Sequence, residues 1–133
     1  MQNDKAKSKD ARQESKIDIK QRSYLFALKI IKLTESLSSN FASKIIADQL
    51  LRSGTSIGAN IVEAQAASSR KDFTNFLNYA LKSANETKFW LGLLRDSGRE
   101  DKGLIDPLLE DTKQLSNILA SSILTLKREQ KSK

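Results

Sequence analysis

Apolar residues along this chain recur at intervals of three and four rather than two, a pattern that predicts helices and no sheet. Four stretches carry it. The first runs from about Ile19 to Leu37, with Phe26, Ile30, Leu33 and Leu37 on one face and Leu25 and Leu28 widening the stripe. The run SLSSN (36–40) ends it, because Ser and Asn side chains compete for backbone hydrogen bonds and favour turns and caps. The second stretch runs from about Phe41 to Ala67, with Ile46, Leu50, Ser53, Ile57 and Ile61 on its apolar face. Ser69, followed three residues later by Asp72, has the form of a capping box opening the third, about Lys71 to Ser97. There Phe73, Leu77, Ala80, Ala84, Thr87, Leu91 and Leu94 step alternately by four and three, the a/d spacing of left-handed helix packing. Gly98 is placed to stop this helix, and the residues up to Ile105 read as a turn. The fourth helix is expected to open at Asp106 as N-cap with Pro107 in first position, continuing through Leu108, Leu115, Ile118, Leu119 and Leu126. Four such helices joined by short turns predict an all-α, antiparallel up-down four-helix bundle.

Composition removes much chemistry. At 133 residues the chain suits one domain. It has no Cys and no His, which excludes disulfides, Cys/His zinc sites, and Ser-His or Cys-His nucleophiles. Without His, Glu63 and Glu86 are poor di-metal ligands, and with no catalytic constellation evident the chain reads as non-enzymatic and cofactor-free. The charged start and the absence of a long apolar run predict a soluble, cytoplasmic protein with no membrane partner.

The formal charge of +7 is unevenly spread. Residues 1–22 carry Lys5, Lys7, Lys9, Arg12, Lys16, Lys20 and Arg22 against four acids, and residues 127–133 carry Lys127, Arg128, Lys131 and Lys133 against one. The remaining 23–126 hold 12 basic and 11 acidic residues. Residues 1–18 therefore read as a basic arm, 19–127 as the bundle and 128–133 as a basic tail, and the basic residues of the two ends are the candidate contacts to RNA or DNA.

RSGTSIGANIVEA (52–64) contains two glycines among hydroxyl residues, which raises the question of a phosphate loop. A Walker-type loop needs four residues between its glycines, a following Lys and a preceding strand; Gly54 and Gly58 have three between them, no Lys follows, and the flanks are helical in pattern. On a helix the two glycines share a face, and each costs roughly 1 kcal/mol relative to Ala, a cost that close approach of a second helix would offset. Gln49, Arg52, Ser56, Asn60 and Glu63 form a polar stripe beside them, and Lys82 and Glu86 repeat the theme on the third helix. Their mixture of amide, hydroxyl and charge suits an inter-helix or inter-subunit network, in which removing Arg52 or Glu63 would strand a buried charge at about 3–5 kcal/mol. Trp90 reads as core or subunit interface rather than a base-stacking platform.

QLLRSGTSIGANIVEA (49–64) followed by SSRKDFTNFLNYALKSANETKFWLGLL (68–94) closely resembles the bacterial four-helix-bundle family encoded in intervening sequences of 23S ribosomal RNA genes. The matching positions include Arg52, Gly54, Ser56, Asn60 and Glu63, then Asp72, Lys82, Glu86 and Trp90. The resemblance implies a ring-like homopentamer without catalytic activity. It also implies kinship with the accessory proteins of diversity-generating retroelements, which are basic pentamers that look like binders of nucleic acid and reverse transcriptase. Their charge lies over the bundle, whereas this body is nearly neutral, which leaves the basic arms as the place for phosphate contacts. The expected function is a non-enzymatic homo-oligomeric scaffold for nucleic acid; the alternative is an adaptor ring that recruits a protein partner.

Overall fold

In the computed structural model, which describes residues 19–131, the chain forms four helices: α1 (Ile19–Ser36), α2 (Phe41–Gln65), α3 (Arg70–Asp96) and α4 (Lys102–Lys131). No strand occurs among the described residues. Each helix packs on the next, and α4 returns to α1 along a thinner seam. The arm 1–18 and Lys133 lie outside the described residues.

Local chemistry accounts for the boundaries. Asn40 caps α2 by accepting from the Ser43 N–H at 2.9 Å, and Ser69 caps α3 by accepting from the Asp72 N–H at 3.1 Å. Gly98, at φ +73°, follows the Ser97 C-cap of α3, a left-handed conformation that Gly adopts without steric cost. At the same end, the Glu100 carboxylate accepts from the Ser38 N–H at 2.9 Å and from the Ser43 hydroxyl at 3.0 Å, tying the α3–α4 turn to the α1–α2 turn.

The start of α4 differs from the sequence expectation. Asp101, not Asp106, opens the helix: its side chain accepts from the Gly103 N–H at 2.8 Å and its carbonyl from the Leu104 N–H at 3.1 Å. Pro107 consequently sits inside the helix. Its missing N–H omits one bond near the helix start, while the extra turn buries Ile105 completely. At the other end α4 continues through Arg128 to Lys131, so most of the expected tail is helix.

The core runs along the seams read from the pattern. Ile30, Leu50, Ile57, Leu91 and Leu119 are fully buried, and Ala80, Ala84 and Thr87 fill the α3 seam. Phe73, Leu37 and Ile46 pack on its margin. Leu25 and Leu28 do not join it, remaining 47% and 46% exposed, because both lie outside the Phe26, Ile30 and Leu33 face that meets the core. Among the described residues every fully buried side-chain N or O has a hydrogen-bond partner.

Candidate functional site

α2 carries the candidate residues, and its two neighbours meet different sides of it. Toward α1, Gly54 and Gly58 are buried. A Cβ added at Gly54 would stand 3.0 Å from Ile30 Cγ1, and one at Gly58 would stand 3.2 Å from the Ser23 hydroxyl and 3.5 Å from its backbone carbon. The absent side chains are what let α1 approach this closely, and Ser23, itself fully buried, satisfies its hydroxyl on the Lys20 carbonyl at 2.9 Å.

Toward α3 the contact is polar. The Arg52 guanidinium donates to the Gln49 side-chain oxygen at 3.0 Å and pairs with the Glu86 carboxylate, which also accepts the Trp90 indole N–H at 2.9 Å. One residue further along each helix and on the buried side, the Thr87 hydroxyl donates to Ser53 at 3.0 Å and lies 2.7 Å from the Ser83 carbonyl. Trp90 is partly buried against the core, and Phe89 stands edge-on to it at 5.0 Å.

The structure thus brings together Gln49, Arg52 and Glu86, and adds Trp90, Ser53 and Thr87 to the same junction. Ser56 and Asn60 are not in it: the Ser56 hydroxyl donates to the Arg52 carbonyl at 2.7 Å and the Asn60 amide to the Ser56 carbonyl at 2.9 Å, both within α2. Glu63 is exposed at the far end of the helix. Lys82 is exposed as well, its ammonium 5.9 Å above the Tyr79 ring, while Glu86 pairs across helices with Arg52 instead. The junction is also wetter than expected. With the Arg52 and Glu86 side chains 58% and 36% exposed, the large penalty of a stranded buried charge does not apply, and an exposed pair of this kind is worth at most about 1 kcal/mol. Helical spacing places Thr87 in the α3 seam and Ser53 on the apolar face of α2, which marks both as buried polar positions, but it does not say that they bond each other.

Chemically, the junction can hold two helices in register. Among the described residues no group of three or more Asp or Glu is placed to hold a metal ion. Of the candidate nucleic-acid contacts, Lys20, Lys127, Arg128 and Lys131 are exposed, and Arg22 donates to the Gln114 side chain at 2.7 Å. Lys5, Lys7, Lys9, Arg12, Lys16 and Lys133 lie outside the described residues. None of the described helices is long and apolar enough to cross a membrane.

No curated protein matches this chain. Among solved structures, a protein of unknown function from the S23 ribosomal protein family of Bacteroides thetaiotaomicron is similar, with a TM-score of 0.74 and 42% identity, covering 79% of this chain and 97% of that one. The model of the 23S rRNA-intervening sequence proteins matches residues 15–121, which spans the glycine-bearing face and the Arg52–Glu86 junction together. With the four-helix architecture and both motifs in place, the chain belongs to the 23S rRNA-intervening sequence protein family.

Proposed function

We propose that this protein is a non-enzymatic, antiparallel up-down four-helix bundle that assembles as a homopentamer and binds or scaffolds RNA or DNA through its basic arms. The antiparallel sense is supported by paired contacts: Arg22 bonds Gln114, while Lys29, seven residues further along α1, pairs with Asp111, three residues back along α4. The pentamer rests on the family resemblance and on the large apolar side chains left exposed on all four helices.

The observation that carries the nucleic-acid half is the placement of charge. Nearly all of the +7 resides in the two ends, while the body is close to neutral. In the last turns of α4, Lys127, Arg128 and Lys131 are exposed, and Glu129, the one acid among them, is paired with Arg70. Contacts of this kind address phosphate, are indifferent to sequence and weaken steeply with salt. A near-neutral body also suits the second reading, an adaptor ring without nucleic acid.

Native mass spectrometry of protein purified at low salt without nuclease tests both. A five-subunit mass carrying RNA or DNA supports the proposal. A clean five-subunit mass leaves the adaptor, and a bare monomer removes the ring. Because α4 is helical to Lys131, the informative variant neutralises Lys127, Arg128 and Lys131 to Gln rather than deleting them; it should lower nucleic-acid retention and flatten its salt dependence.

A further inference from the structure

The two ends of the bundle differ in charge. Lys20 and Gln21 at the start of α1 line the same groove as Ala59 and Val62 near the end of α2, so those two helix ends lie together. A short turn leads from α2 to Arg70, the first residue of α3, and Arg70 pairs with Glu129 in the last turn of α4. One end therefore gathers residues 19–21, 62–72 and 124–131, which hold six basic and three acidic residues. The other end, where Glu100 joins the α1–α2 and α3–α4 turns, gathers 32–44 and 95–106, which hold five of each.

The ends are far enough apart to act separately. α2 has 25 residues, and at about 1.5 Å each they put roughly 37 Å between the ends, several Debye lengths at physiological salt. At the basic end Lys71, Lys127, Arg128 and Lys131 are exposed and form no ion pair with a described residue. Of the three acids there, Glu129 is paired with Arg70, and Asp72 accepts from the Ser68 hydroxyl at 3.4 Å. The Arg70–Glu129 pair also sets the first turn of α3 against the last turns of α4, so that cations far apart in sequence share one surface. Ammonium, guanidinium, amide and hydroxyl donors together match phosphate oxygens, which accept hydrogen bonds and carry charge. Packed helix axes stand about 8–10 Å apart, so a ligand reaching from α4 to α3 is a chain of phosphates rather than a single ion. The arm joins α1 at Ile19, which tethers its cations to this same end.

We infer that the phosphodiester chain of RNA or DNA is held at this one end of the bundle, with Lys71 of α3 extending the patch formed by Lys127, Arg128 and Lys131 of α4. The inference rests on the nucleic-acid reading above and adds to it a residue from the nearly neutral body, at a place where folding concentrates charge that the sequence spreads out.

The test measures binding of a labelled RNA and a labelled DNA oligonucleotide to the full-length protein over a range of salt. For either one, Lys71→Gln should lower affinity by up to roughly tenfold at low salt and reduce the slope of log K against log salt by about one, as should Lys131→Gln. Lys44→Gln, which alters an exposed lysine at the other end, should change neither. All three variants should keep the helical circular dichroism of the wild type. Inorganic phosphate at matched ionic strength should displace neither oligonucleotide; displacement would assign the patch to a free anion and overturn the chain as its ligand. Binding by Lys71→Gln that equals wild type, or a loss of the same size for Lys44→Gln, overturns the one-end site while leaving nucleic-acid binding intact. Wild-type protein that shows no salt-sensitive binding overturns the nucleic-acid reading itself, and this inference with it.

Discussion

On the side of α2 that meets α1, two glycines bring backbone against side chain with nothing to spare, whereas on the side that meets α3 the same helix is joined across through Arg52 and Ser53. The first contact is steric and dry. The second grades from a buried hydroxyl pair to an ion pair open to water. A steric contact fails when atoms are added, because the buried Ile30 and Ser23 side chains must give way; a polar contact fails when atoms are removed, and water replaces much of what is lost at the exposed end.

The largest effect should come from filling the dry side. Gly54→Leu would force its side chain into Ile30, and a cost of about 3 kcal/mol is expected, near the upper part of the overpacking range, read as a lower urea midpoint. A loss under about 1 kcal/mol would mean that α1 can slide away and that the fit is loose. On the polar side, Thr87→Val keeps the shape but removes the hydroxyl that donates to Ser53, for an expected loss of about 1 kcal/mol in the same assay. Gly92, which has nothing within 4 Å of an added Cβ, serves as the control for the glycine argument: Gly92→Ala should raise stability by up to about 1 kcal/mol, and a loss there would assign the glycine cost to something other than helix contact. Smallest of all, Arg52→Ala should cost about 0.5 kcal/mol or less, since Glu86 keeps the Trp90 N–H and both charges face water. A double-mutant cycle with Glu86→Gln isolates the pair; a coupling above about 2 kcal/mol would restore the idea of a desolvated network.

The sequence was most legible where one physical rule acted alone. The α3 seam follows from its alternating steps, and its ends from a Ser that caps and a Gly that takes a positive φ. It was least legible where two devices competed. Asp106 followed by Pro107 has the form of a helix start, yet Asp101 offers a cap one turn earlier, and burying Ile105 favours the longer helix. The polar stripe on α2 read as one network because spacing reports which residues share a face and not what their hydrogens bond. Ser56 and Asn60 turn back to their own helix, Glu63 points to solvent, and Arg52 alone of the charged residues crosses to α3. Leu25 and Leu28 of α1 differ from the pattern for a related reason: a wide stripe looks the same whether its flank meets a neighbouring helix or solvent.

The carboxylate that bridges the two turns at one end of the bundle makes that end sensitive to protons. Burial works to raise the pKa of Glu100, but the hydrogen bonds from Ser38 and Ser43 outweigh it and hold the group below the ordinary glutamate value. The folded state therefore binds this proton less readily than the unfolded chain does. The stability that Glu100 contributes is complete above the unfolded-state pKa and is lost as pH falls through the folded one, so it is fully present at neutrality and disappears in acid. Glu100→Gln should weaken the protein at pH 7 while flattening the acid limb of its unfolding profile; if the limb keeps its wild-type slope, the two turns are joined by something other than this carboxylate. At neutral pH the α1–α2 and α3–α4 connections behave as one unit, and in acid they should come apart before the helices do.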